Sequence, residues 1–151
     1  MLRHLYLDSS ILASLALKDE GRAKLVLQKI EESDEIGTSE VAVVECQAGL
    51  SAQLSGQGEL LVLAEQNLNQ ILARMTLYSV ESVILGHARA LVKQHRVATE
   101  LRTLDAIHVA TANVIRLAYL HSQEFFLEYM TCDRKQHAAF TAEGHVGRLV
   151  A

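Results

Sequence analysis

Apolar positions in this chain follow two rhythms: short unbroken runs, and longer stretches in which they return every three or four residues. The first reads as buried strand, the second as amphipathic helix. His4-Leu5-Tyr6-Leu7 is such a run, closed by Asp8-Ser9-Ser10, whose small polar side chains can cap a helix over Ile11–Leu17. Gly21–Glu32 carries Ala23, Val26, Leu27 and Ile30 at helical spacing and stops at Ser33-Asp34. Glu35–Thr38 is a weak strand candidate, and Ser39 is placed to cap a helix over Val41–Leu54, with Glu45 about two turns in. Gly56 and Gly58 punctuate its end. Leu60, Leu61, Ala64, Leu68, Ile71 and Leu72 then predict an amphipathic helix up to Arg74, followed by a strand at Met75–Val80 and a helix at Glu81–His95. Thr103 can cap Leu104–Tyr119, whose buried face is Leu104, Ile107, Thr111, Val114, Ile115 and Ala118 and whose first turn holds Asp105. Phe126–Thr131 is the last clear strand before Cys132-Asp133. A short helix through Ala138-Ala139-Phe140 and an edge strand within His145–Val150 finish the chain.

Strands that alternate with helices predict an α/β fold, a parallel sheet of four to five strands with helices on both faces. In such sheets ligands bind outside the carboxyl ends of the strands. Asp8 and Asp133 both follow strands directly, so both are expected at that edge, and Glu45 and Asp105 sit near the starts of helices leaving it. No repeat, low-complexity tract or linker interrupts residues 1–151, which fit one domain.

Composition changes this picture in three ways. Hydrophobic residues make up 50% of the 151, enough for a core without disulfides, while 5% aromatics and no Trp or Pro favour a helix-rich, aliphatic interior over a sandwich or barrel. The net charge of −4 lacks the basic signature of a protein held on nucleic acid by bulk charge. With four acids set aside in one metal site, however, the remaining 14 match the 14 Lys and Arg, and bound cations would make the cleft locally positive. Cys46 and Cys132 match no zinc spacing and read as two buried, reduced thiols. Arg3 ahead of apolar Ile11–Leu17 imitates a signal peptide, but Asp8 interrupts it and the run is too short to cross a membrane. A soluble, cytoplasmic protein without membrane attachment is expected.

Several carboxylates in one crevice resist joint ionisation unless cations compensate, and oxygen-only ligands select hard ions, hence Mg²⁺ or Mn²⁺. A site built from Asp8, Glu45, Asp105 and Asp133 would polarise a phosphodiester, lower the pKa of a bound water for in-line attack and stabilise the leaving oxygen. That is hydrolytic nuclease chemistry. Singly, each acid has a plainer reading: Asp8 as a cap, Asp105 as complement to a helix dipole, Asp133 as a turn former, Glu45 as a surface residue. Their agreement on one predicted edge, and the position of Glu45 among Val43, Val44 and Ala48, favour the joint reading. Ser9, Ser10 and Thr131 add hydroxyls beside Asp8 and Asp133 that can hold a water or phosphate oxygen, or merely cap. Arg89, Lys93, His95, Arg96 and Arg102 precede Asp105, and Arg134, Lys135 and His137 follow Asp133. Arg102 and Arg134, nearest the acids, are the candidates for substrate phosphates, the others fitting a solvated face. His108, one turn after Asp105, invites a general-base or metal role, but a packed helix histidine is the favoured reading, since a carboxylate site needs no imidazole ligand.

Four segments together resemble PIN-domain ribonucleases, most of all the VapC-type toxins of type II toxin–antitoxin pairs: Tyr6-Leu7-Asp8-Ser9-Ser10, Ser39 through Glu45, Leu101 through Ala110, and Met130-Thr131-Cys132-Asp133. The likeness runs over nearly the whole chain and is most specific from Arg102 to Ala110. It implies that Asp8, Glu45, Asp105 and Asp133 bind metal in an endoribonuclease using Mg²⁺ or Mn²⁺. It further implies a homodimer acting on RNA, and a cognate antitoxin that blocks the cleft. The chain departs from the family in its length, in extra sequence around Gly56–Leu72, and in Cys46-Gln47 after the glutamate. The alternative is a non-catalytic PIN-like module that only binds RNA or protein. A receiver domain would want a second acid beside Asp8, and a haloacid-dehalogenase phosphatase would want an Asp where Ser10 stands. The apolar helices at Gly21–Glu32 and Val41–Leu72 exceed what one core absorbs, which favours a homodimer whose remaining groove takes an apolar antitoxin helix.

Overall fold

The computed structural model describes residues 1–121 and 124–151, without the side chains of Arg96 and Thr99. Its elements are β1 (Leu2–Leu7), α1 (Ser9–Ala16), α2 (Glu20–Glu31), β2 (Glu35–Ser39), α3 (Glu40–Gln53), α4 (Gly58–Leu72), β3 (Thr76–Tyr78), α5 (Ser82–Thr99), α6 (Thr103–Ala118), β4 (Phe125–Thr131), α7 (Arg134–Ala142) and β5 (Val146–Leu149). The five strands form one parallel sheet in the order β3-β2-β1-β4-β5. The α/β architecture expected from the alternating pattern is therefore present.

Helices cover both faces, and the pleat of β1 decides which side chain meets which layer. Leu5 and Leu7 point into a core shared with α1, α2, α3 and α4, where Ile11, Leu12, Val26, Cys46, Leu50 and Leu68 are buried. Tyr6, between them, points the other way, into a core with Ile84, Leu91, Ile107, Ile115, Tyr129 and Phe140 from α5, α6, β4 and α7. This alternation is the period-two rule of strands acting on a strand buried on both faces. Tyr129 and Phe140 stack with ring centroids 4.0 Å apart, pinning α7 beneath β4. Gly147 of β5 has to be glycine, because a Cβ there would lie 2.3 Å from the Tyr129 ring.

β1 is central, with β2 on one side and β4 on the other, and the chain crosses over from β3 to β4. The crevice beyond the carboxyl ends of β1 and β4 is thus the topological switch point at which open parallel sheets place ligands. Register holds the two ends level, Leu7 facing Met130, so Asp8 and Thr131 emerge together. Cys46 is buried and Cys132 half-buried, both as free thiols, and burial pushes the Cys46 thiol up to about 11. Among the described residues no helix is long and apolar enough to cross a membrane.

Candidate active site

Asp8 is fully buried as the N-cap of α1. Its extended backbone lets Oδ1 accept from the Ile11 N–H at 3.1 Å, satisfying one of the donors a helix start leaves open. The same oxygen accepts from the Ser10 hydroxyl at 2.6 Å, and Oδ2 accepts from the Thr131 hydroxyl at 2.5 Å. Burial pushes the Asp8 carboxyl above its ordinary range, against these hydrogen bonds, which favour the carboxylate. A neighbouring cation would relieve that cost.

Thr131, the last residue of β4, is also buried and couples two acids. Its Oγ1 donates to Asp8 and accepts from the Asp133 N–H at 2.9 Å. Ser10 ties the same loop from the other side, its Oγ accepting from the Cys132 N–H at 2.8 Å. Asp133 caps α7, accepting from the N–H groups of Lys135 and Gln136 at 2.8 and 3.2 Å through Oδ1. Its Oδ2 faces the cleft and accepts from Arg102 Nη2 at 2.8 Å.

Arg102 joins the third acid to the second. Its guanidinium donates to both oxygens of Asp105, Nε to Oδ2 at 2.7 Å and Nη2 to Oδ1 at 3.0 Å, while also reaching Asp133. Asp105 is nearly buried, whereas the Arg102 side chain is 63% exposed, so the bridge closes the mouth of the crevice from the solvent side. The N-cap of α6 is Arg102 and not the expected Thr103. Asp105 reaches back to accept from the Arg102 backbone N–H at 3.3 Å, the N3-to-N-cap contact of a capping box.

Glu45, on α3, is held differently. Its Oε2 meets His108 Nε2 at 2.6 Å, and His108 Nδ1 meets the Tyr6 hydroxyl at 2.9 Å. The structure therefore links Asp8 to Asp133 through Thr131 and Asp105 to Asp133 through Arg102, while Glu45 is tied to His108. Among the described residues, no three His, Cys, Asp or Glu side chains stand close enough to ligate one ion. The donor set nonetheless fits a hard cation, because the groups facing the crevice are carboxylate oxygens and a guanidinium already stands between two of them.

Of the remaining candidates, Ser9 next to Asp8 opens α1 half-buried, and Arg134 next to Asp133 opens α7 exposed. Lys135 pairs with Glu100, His137 Nδ1 meets the Tyr129 hydroxyl at 2.7 Å, and His95 meets Glu143. Arg89 and Lys93 lie exposed on α5, and the side chain of Arg96 lies outside the described residues. Spacing along the chain did not reveal the Tyr6–His108–Glu45 chain, whose members lie 102 and 63 positions apart. Its one signal was a histidine on the buried face of α6.

This combination, a parallel sheet with acids gathered at the carboxyl ends of its central strands, is that of a PIN domain. Residues 5–139 match the PIN domain family, to which the chain belongs. Among solved structures it is similar to the VapBC2 complex of Rickettsia felis bound to a DNA fragment from its promoter, with TM-score 0.69 and 12% identity over 97% of this chain and 98% of that one. It is also similar to FitAcB of Neisseria gonorrhoeae, with TM-score 0.63 and 22% identity over 95% of each chain. A toxin–antitoxin complex of Klebsiella pneumoniae aligns with TM-score 0.61 and 22% identity over 89% of this chain and 90% of that one. No curated protein matches the sequence.

Proposed function

We propose that this chain is an endoribonuclease dependent on Mg²⁺ or Mn²⁺ and the toxin of a toxin–antitoxin pair. The observation that carries the reading is the fully buried Asp8 at the end of the central strand, coupled through Thr131 to Asp133, with Asp105 one guanidinium away. Asp8, Glu45, Asp105 and Asp133 would hold the ion, which when bound supplies activation of a water and charge neutralisation on the phosphodiester. The chain's own groups do the positioning. Thr131 and Ser10 fix the Asp8 carboxylate by donating to its two oxygens. Asp133 is fixed by its cap, and Arg102, once displaced from the acids, is free to meet a substrate phosphate together with exposed Arg134. Ser9, half-buried beside Asp8, is a further candidate for a phosphate oxygen.

An antitoxin partner is supported by the toxin–antitoxin complex of Klebsiella pneumoniae among the structural neighbours. An open groove of about 990 Å³ runs between α2 and α4, with Leu15, Leu27 and Ile71 on its floor and Lys18, Lys24, Glu31 and Arg74 on its rim. Leu15 lies seven residues after Asp8, about 10 Å along α1, so an apolar antitoxin helix in the groove could send a basic side chain to the acids. Val44, Leu60, Val62 and Leu63 stay exposed on α3 and α4, which supports a homodimer. Cytoplasmic residence agrees with an RNA substrate.

One observation favours a second reading, a PIN domain that binds without cutting: Arg102 occupies the place between two acids where an ion would sit. Incubation of the purified chain with RNA, with and without Mn²⁺, separates the two. Cleavage that needs the metal and disappears in Asp8→Asn supports the nuclease. Binding without cleavage at any metal concentration overturns it.

A further inference from the structure

Two buried groups that the nuclease reading does not use, Tyr6 and His108, form one line with the half-buried acid Glu45. Tyr6 of β1 is fully buried, His108 of α6 is 1% exposed, and Glu45 of α3 stands at the wet end. The direction of the hydrogen bonds follows from chemistry. An ionised Glu45 only accepts, so His108 Nε2 carries the hydrogen at 2.6 Å, and in the neutral ring Nδ1 then accepts the Tyr6 O–H at 2.9 Å. Burial holds the Tyr6 phenol far above its ordinary range, which keeps that hydrogen in place.

The geometry is specific to orientation. Glutamate has three rotatable side-chain bonds, and freezing such a chain is costly unless a partner fixes it. Only Oε2 is engaged, which leaves Oε1 without a hydrogen-bond partner among the described residues. The Tyr6 and His108 rings also meet edge-on, with centroids 6.2 Å apart and planes at 63°, so the imidazole is gripped by packing as well as by its hydrogen bond.

We propose that His108 is a positioning residue for Glu45: braced from behind by Tyr6, it fixes one carboxylate oxygen so that the other is presented to the cation. The inference rests on the metal-site reading of the acids and assigns the order of contact behind it. Groups that hydrogen-bond a metal ligand typically change metal affinity 10–100-fold when removed.

The test is Mn²⁺ titration calorimetry on the whole chain without RNA, with thermal melting to establish that each variant is folded. His108→Ala is expected to weaken Mn²⁺ binding at least tenfold, His108→Gln to recover part of the loss by donating from Nε2, and Tyr6→Phe to weaken binding by a smaller factor. In a Glu45→Gln background, His108→Ala should cost nothing further, because its ligand is already gone; a purely structural histidine would cost the same in both backgrounds. Unchanged Mn²⁺ affinity in folded His108→Ala overturns the proposal. Where that variant does not fold, unchanged affinity in Tyr6→Phe overturns it instead. If Glu45→Gln weakens binding and the His108 and Tyr6 variants do not, the positioning role fails while the metal site stands. If the unmodified chain binds no Mn²⁺, the metal-site reading fails and the positioning role with it.

Discussion

Replacing Arg102 with alanine is expected to tighten Mn²⁺ binding, because the guanidinium and a divalent ion compete for the same carboxylates. Its nitrogens lie 2.7 and 3.0 Å from the two Asp105 oxygens and 2.8 Å from Asp133. In a dry interior such contacts would be very strong, but the Arg102 side chain is 63% exposed and solvent screens it. Surface ion pairs are worth about 0.2–1 kcal/mol each, so the two pairs together oppose an incoming ion by about 1 kcal/mol, roughly a fivefold change in Kd. The fold should survive, since Asp105 keeps the hydrogen bond from the residue-102 backbone N–H. Calorimetry at fixed ionic strength reads the effect directly. Arg102→Lys should fall between, because an ammonium cannot bridge two carboxylates with a planar fork. The same alanine variant should bind RNA more weakly and with a shallower salt dependence if the released side chain meets phosphate. Mn²⁺ affinity that stays equal or falls in a folded Arg102→Ala protein would refute the competition.

Asp8→Asn should abolish RNA cleavage while raising stability at neutral pH. The Asp8 carboxyl titrates above its ordinary value of 3.8 in the folded chain, so the folded state holds its proton longer and ionisation costs stability as pH rises from about 4. Denaturant melts at pH 4 and 7 should show the gap over the unmodified chain widening with pH; a constant gap removes burial as the cause. His145, hydrogen-bonded through Nε2 to Asn113 Oδ1 at 2.7 Å, is pulled down by burial to about 4. Its contribution is complete above pH 6.5 and drains as pH falls toward 4, where the unfolded chain takes up a proton that the folded one does not. His145→Gln should therefore flatten the fall in melting temperature between pH 7 and 5, and an equally steep fall would exclude this histidine. Glu100 closes α5 in the left-handed region with φ 54°. Glu100→Gly should stabilise by about 1 kcal/mol, the exposed Lys135 pair adding little against it, and a lower melting temperature would count against backbone strain there.

Much of this architecture was legible because strands and helices impose different repeats on the same apolar alphabet. Leu5, Tyr6 and Leu7 read as a buried strand, and Ala64, Leu68 and Ile71 as one face of a helix, without any tertiary knowledge. Where local chemistry offered two solutions, the pattern could not choose. Thr103 looked like the cap of α6, yet Asp105 supplies the acceptor from inside the helix and Arg102 becomes the boundary. β3 spans only Thr76–Tyr78 of the expected Met75–Val80, an edge strand hydrogen-bonded to β2 alone. Asp8 and Asp133 announced themselves by following strands, and register brought them together. The orientation of Arg102 toward the acids, and the line from Tyr6 through His108 to Glu45, depend on how α6 packs against β1 and α3. No spacing in the chain encodes that packing.

The pairing of β1 with β4 also sets a schedule. Asp8 is made long before the hydroxyl that orients its Oδ2, which belongs to Thr131, 123 positions later. Until β4 emerges from the ribosome, β1 has β2 on one side and a bare edge on the other, which invites mispairing. Arg102, Asp105 and Asp133 likewise follow Asp8 by 94 residues or more. The cleft therefore matures only when β4 docks on β1 and brings Thr131 and Asp133 to Asp8.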